Sequence, residues 1–251
     1  MVEKIMFDTW ISELSALERK ELDEMDEQYV VSGINSLSSE EEIPLVKGFV
    51  RSPFSPLIFE SILRVCKEAS VSASVPHPQK KGVIAVSMFT DAVTEQESWK
   101  DMLGGRRLSP IMLPQSVPSA VIGYIASIIK IHGPMTCTSI NHPYYAFYML
   151  RQAWDWLREG DAETVILTFC DVPSIRRTEW LGKHCNQEYK NISFVGGAVS
   201  IVMETASSAA SRKVEKTRSI KETLFQVLSS PFNQGTVSHS MVEAAAANIP
   251  E

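Results

Sequence analysis

The period of the apolar positions changes repeatedly along the chain, and each change predicts an element. Residues 10–28 (WISELSALERKELDEMDEQ) are charged and helix-prone, whereas residues 32–44 are rich in Ser and Glu and read as a loop. Ser55-Pro56 then predicts a helix start, with Ser at the cap and Pro at the first helical position. Ile58, Ile62, Val65 and Ala69 follow at helical spacing and form one buried stripe. Residues 71–81 are a Ser/Pro/Lys linker. Residues 82–89 (GVIAVSMF) are an apolar run of strand length, suited to a sheet covered on both faces.

Residues 101–116 (DMLGGRRLSPIMLPQS) carry Gly and Pro and read as a long loop. The helix expected over residues 117–131 is apolar on nearly every side, so it should lie between sheets or against a second subunit. His132-Gly133-Pro134 ends it. A short strand rich in β-branched residues follows at 136–140, and Asn141 can cap a helix that runs to about Glu159 before Gly160. Residues 164–169 (TVILTF) and 194–203 (FVGGAVSIVM) are further buried strands, with Gly196-Gly197 marking a bulge or a close backbone approach. Residues 205–218 read as a polar connector, and 241–251 as a loosely held tail. Strands alternating with helices define an α/β protein.

Composition narrows the function classes. With 44% apolar and 22% charged residues the chain is ordinary globular protein, and its net charge of -6 argues against a nucleic-acid surface. Arg212, Lys213, Lys216, Arg218 and Lys221 are interleaved with Glu215 and Glu222, the pattern of a solvated helix face. Cys66, Cys137, Cys170 and Cys185 stand far apart, without zinc-ribbon spacing or a disulfide framework. Reduced thiols in a cytoplasm are the simple reading. The N-terminus lacks the apolar core of a signal peptide, and no apolar run is long enough to span a bilayer.

Three segments in order resemble the ketoacyl synthase family, whose fold is the thiolase type of layered helices and mixed sheet. The first is SPIMLPQSVPSAVIGYIASIIKIHGP, similar to that family's loop and buried helix ending in Gly-Pro. The second is GPMTCTSINHPYYAFYMLRQAWDWLREGDAETVILTFCD, which matches the layout of Gly-Pro, short strand, nucleophile, helix and buried strand. The third, FVGGAVSIVMET, resembles a strand that the family enters through a Gly-rich turn. The resemblance covers residues 109–205 and implies a single domain like the N-terminal half of such a synthase, with residues 205–251 a connector, helix and tail.

In the family the reactive Cys lies eight residues after the Pro, and eight after Pro134 stands His142. Imidazole forms no stable thioester with an acyl group, so the resemblance implies no condensing activity and no catalytic residue. Asn141, Pro143, Tyr144 and Tyr145 replace the small residues that flank that Cys. The expected acyl-tunnel residues are Tyr124, Ile125, Ile128, Asn141, His142, Tyr144 and Tyr145. The resemblance also places Met135, Thr136, Cys137, Thr138, Ser139 and Ile140 in a strand that pairs across a dimer, an edge that would invite aggregation if left open.

The family member these features resemble most is the chain-length factor, which lacks the Cys and pairs with an active synthase; a short version accompanies aryl polyene biosynthesis. The expected partners are a full-length ketoacyl synthase and, through that complex, an acyl carrier protein, with no cofactor, metal, nucleic acid or membrane span. An alternative is a malonyl-carrier decarboxylase of the same fold, with Asn141 and His142 holding an enolate oxygen. A third reading is an unrelated α/β binding protein. The thiols of Cys137 and Cys170 are expected to be buried and inert.

Overall fold

The structure, a computed structural model, describes residues 11–12, 14–49, 52–71, 77–87, 90–107, 117–139, 145–172, 196–214 and 216–228, with only the backbone of Pro118, Tyr145, Ala146, Phe225 and Leu228. Helix α1 (Ala16–Gln28) starts at a complete capping box: Glu18 donates its N–H to the Ser15 hydroxyl, and Glu18 Oε2 accepts the Ser15 N–H. Then come β1 (Tyr29–Ser38), α2 (Phe54–Glu68), β2 (Lys81–Ser87), α3 (Ala92–Leu103) and α4 (Pro118–Ile129). The order ends with β3 (Met135–Ser139), α5 (Tyr145–Arg158), β4 (Thr164–Asp171), β5 (Gly197–Thr205), α6 (Ala206–Ser211) and α7 (Ile220–Leu228).

The five strands form one mixed sheet in the order β1-β5-β4-β2-β3. Strands β3, β2 and β4 are parallel, while β5 is antiparallel to both β4 and β1. Alternate side chains of each strand enter two separate cores, as a two-residue period requires. Ile84, Val86, Val165 and Leu167 pack with Leu22 and Met25 of α1, Phe147 and Trp154 of α5, and Ile220 and Leu224 of α7. Val83, Ala85, Ile166 and Val202 pack on the opposite face with Ile58 and Ile62 of α2 and Val121 and Ile125 of α4. The result is helix, sheet and helix in three layers, with every residue of β2 buried.

Several expectations are corrected. Residues 29–38 form an edge strand rather than a loop, because Val31 and Leu37 reach the cores while the Ser and Asn positions between them are tolerated at an edge. The irregularity expected at Gly196-Gly197 is absent from the β4–β5 register; it falls on β1, between Val31 and Gly33. The first helix after the loop starts one residue before Ser55, and the Ser52 hydroxyl accepts the Ser55 N–H at 2.9 Å. Residues 101–103 belong to α3, which Asp91 caps by accepting the Thr94 N–H at 3.3 Å. Residues 206–228 hold two helices, and α7 joins the core with α1 and β1.

Gly133-Pro134 sets the register of the sheet's edge. Gly133 donates its N–H to Lys81 O at 3.1 Å, and Val83 donates to Pro134 O at 3.0 Å. A Cβ on Gly133 would lie 2.4 Å from Lys81 O, closer than any side chain allows. Only glycine lets the chain leave α4 and enter β3 flat against the start of β2.

Candidate functional site: the β3 edge and the carboxyl ends of the parallel strands

Strand β3 pairs with β2 on one side only; no described strand pairs with its outer edge. Met135 and Ser139 are exposed, and Thr136, Cys137 and Thr138 are half-buried. Ile140, the sixth residue expected at this edge, lies outside the described residues, as do Asn141, His142 and Tyr144. Tyr145 begins α5.

The three α4 residues expected at the acyl tunnel differ in burial. Ile125 is buried in the core beneath the sheet. Tyr124 is half-buried and stacks obliquely between Phe49 (centroids 5.6 Å apart) and Phe59 (5.9 Å). Ile128 is 40% exposed. Helix α4 therefore buries one face and presents another to solvent, where full burial was expected; Ser119, Gly123 and Ser127 share the exposed face with Ile128.

A polar network at the carboxyl ends of β2 and β4 was not foreseen. The Ser87 hydroxyl donates to Asp171 Oδ1 at 2.6 Å and accepts the Thr90 N–H at 2.7 Å. Asp91 lies beside it, only 1% exposed, and its Oδ1 accepts the Thr94 N–H at 3.3 Å. Burial pushes the Asp91 carboxyl above its ordinary range; Ser52 and Thr94 offset part of that, and Glu97 adds to it. The sequence carries the signal as Asp91-x-x-Thr94, a helix-cap spacing directly after an apolar strand.

The thiols are chemically quiet. Burial pushes Cys66 up to about 12, Cys137 above its ordinary value, and Cys170 well above it, with Asp171 and Asp91 adding to the last. None of these three is a thiolate near neutral pH. Among the described residues no group of three or more His, Cys, Asp or Glu is placed to hold a metal ion, and no helix is long and apolar enough to cross a membrane.

No protein-family model and no curated protein matches the sequence. Solved structures do. One is a complex of a ketosynthase with its chain length factor (ApeO and ApeC) from Xenorhabdus doucetiae, matched at a TM-score of 0.53 and 11% identity over 71% of this chain and 79% of that one. A second is the oxazolomycin ketosynthase domain OzmH KS7 of Streptomyces albus, with a TM-score of 0.56 and 12% identity over 73% of this chain and 44% of that one. A third is the ishigamide ketosynthase/chain length factor, with a TM-score of 0.53 and 13% identity over 72% and 63%. The chain thus spans less than two thirds of the length of the last two. Its fold is that of the ketosynthases, the thiolase-like α/β architecture.

Proposed function

We propose that this chain is a chain-length-factor subunit: it forms a heterodimer with a full-length ketosynthase and helps wall the acyl tunnel without itself condensing acyl groups. The outer edge of β3, on which no described strand pairs, is the single observation that carries this reading. A parallel-sheet edge with half-buried Thr136, Cys137 and Thr138 and exposed Met135 is a template for another strand, and soluble chains ordinarily cover such edges. The neighbours in fold include two ketosynthase and chain-length-factor pairs, which favours a ketosynthase as the covering chain. The raised thiols of Cys66, Cys137 and Cys170, the described cysteines, agree with a subunit that passes no acyl group through them. His142 at the position of the family's Cys belongs to the same reading. An acyl carrier protein would deliver substrate to the partner, and the polyene substrate class rests on the aryl polyene resemblance. Length control is steric: a side chain closing the tunnel disfavours longer acyl chains by overpacking.

The test is co-expression with a full-length ketosynthase from the same genome, followed by size-exclusion chromatography and an extension assay on a carrier-bound starter. A heterodimer whose product length depends on this chain supports the reading. A ketosynthase that is dimeric and makes the same products alone overturns it, and release of carbon dioxide from malonyl-carrier by the isolated chain would replace it with the decarboxylase.

A further inference from the structure

Helix α2 lies on the sheet through an apolar stripe, Ile58, Ile62 and Val65, which packs with Ile166 and Val202. Inside that layer stand three hydroxyls, each 0% exposed: Ser61 of α2, Thr168 of β4 and Ser200 of β5. Thr168 and Ser200 are direct partners across the β4–β5 pair, with their hydroxyl oxygens 2.9 Å apart. The Ser61 hydroxyl reaches from the helix to that of Ser200 at 2.7 Å. Ser200 so joins α2, β4 and β5.

Stability alone does not call for this cluster. Alanine at position 61 would favour the helix more than serine does. A serine inside a helix can also satisfy its hydroxyl on the carbonyl one turn back, so Ser61 has no need of the sheet. Replacing hydrogen-bonded hydroxyls together by apolar groups of the same shape is nearly neutral. What the cluster adds is direction. Apolar contacts tolerate a helix that turns or slides, because their strength follows buried area and has no preferred angle. A hydrogen bond of 2.7 Å tolerates neither movement. The setting of α2 matters beyond the helix itself. Phe59, two residues before Ser61 and so about 200° away around the helix, meets Tyr124 of α4 with ring centroids 5.9 Å apart. Any rotation that Ser61 prevents would swing Phe59 through the same angle.

We infer that Ser61, Thr168 and Ser200 lock the seat of α2: their hydroxyls fix the rotation of the helix on the sheet and so hold Phe59 against Tyr124. Ser61 is a positioning residue, which acts on Tyr124 only through Phe59. Its effect on product length rests on the chain-length-factor reading given above, in which Tyr124 borders the acyl tunnel. The lock itself does not depend on that reading.

The experiment compares wild type with the triple variant Ser61→Ala, Thr168→Val, Ser200→Ala, which removes all three hydroxyls together, and with Thr168→Ser, which keeps the hydroxyl. Urea unfolding and NMR of the isolated full chain come first. The triple variant should unfold at a urea midpoint equal to or above that of wild type. It should nevertheless show doubled α2 amide signals and lose the nuclear Overhauser contacts between the Phe59 and Tyr124 rings, because cores lose uniqueness before they lose stability. Thr168→Ser should behave as wild type. Single α2 signals with the ring contacts kept in the triple variant overturn the proposal. So does the same loosening in Thr168→Ser, which would trace it to a lost methyl group. Should the triple variant fail to fold, Ser61→Ala decides by the same signals: doubling supports the lock, a single set overturns it. With a full-length ketosynthase from the same genome, the triple variant should bind as wild type does and spread its products over more chain lengths. If wild type alters no product length, the chain-length reading falls while the NMR result still judges the lock. If the ring contacts are lost and the products stay the same, the lock stands and the role of Ser61 in length control falls.

Discussion

Two residues, at opposite ends of the parallel strands, show how single atoms hold the sheet in place. A methyl group on Gly133 would stand 2.4 Å from Lys81 O and 2.8 Å from Gln79 O, both backbone atoms that cannot swing aside. Gly133→Ala should therefore cost about 1–3 kcal/mol by overpacking, measured by urea denaturation, and should loosen β3 first. Asp91 gives a pH signature. Its folded carboxyl is raised above the ordinary value of 3.8, so the folded chain binds its proton more tightly than the unfolded chain does. That contribution is fully present below pH 3.8 and is lost as pH rises through the raised folded value. Asp91→Asn keeps a helix-capping side chain and removes the ionisable group. Urea midpoints taken between pH 3.5 and 7 should thus show the variant gaining on wild type as pH rises. An unchanged pH profile would mean the Asp91 proton takes no part. Gly133 could be read from the sequence as a terminator. Its tighter role could not, because the constraint comes from Lys81, far away in the chain. The position of Asp91 in a buried cluster was hidden for the same reason.

At the scale of elements, local signals and long-range packing separate cleanly. Helix α1 was legible because its run of charged, helix-prone residues is local to it, and β2 and β4 were legible because buried parallel strands read as unbroken apolar runs. Strand β1 was not, since its polar residues meet an edge whose character is set by β5 and by Arg218, which bridges to Val31. The second half of the connector hides another long-range device. Glu204, the penultimate residue of β5, is fully buried and ion-paired with Arg212, just beyond α6; Arg212 also donates to Ala69 O at 3.2 Å at the end of α2. Three elements thus meet at one guanidinium. Arg212→Met would leave Glu204 as an unpaired buried charge and should cost about 3–5 kcal/mol in urea unfolding. Adding Glu204→Gln to that variant should recover much of the loss. A double variant no better than Arg212→Met would assign the cost to lost packing of the arginine stem instead.

On the scale of the whole molecule, β3 is an edge of the sheet on which no described strand pairs beyond β2, and that edge is testable amide by amide. In a parallel pair the N–H groups of a strand point alternately to its neighbour and away from it. Because Val83 donates to Pro134 O, the amides of Thr136 and Thr138 turn toward β2, and that of Cys137 turns outward. In the isolated chain, hydrogen exchange followed by NMR should find Thr136 and Thr138 protected and Cys137 exchanging quickly. If a ketosynthase strand closes the edge, Cys137 becomes protected while Thr136 and Thr138 change little, because their bonds already exist. A partner docking elsewhere would slow all three together through global stabilisation, about 2.7 kcal/mol when its concentration is a hundred times the dissociation constant. The selective slowing of Cys137 therefore separates strand addition from mere binding. Uniform slowing, or none at Cys137 in a complex that demonstrably forms, would place the ketosynthase away from this edge.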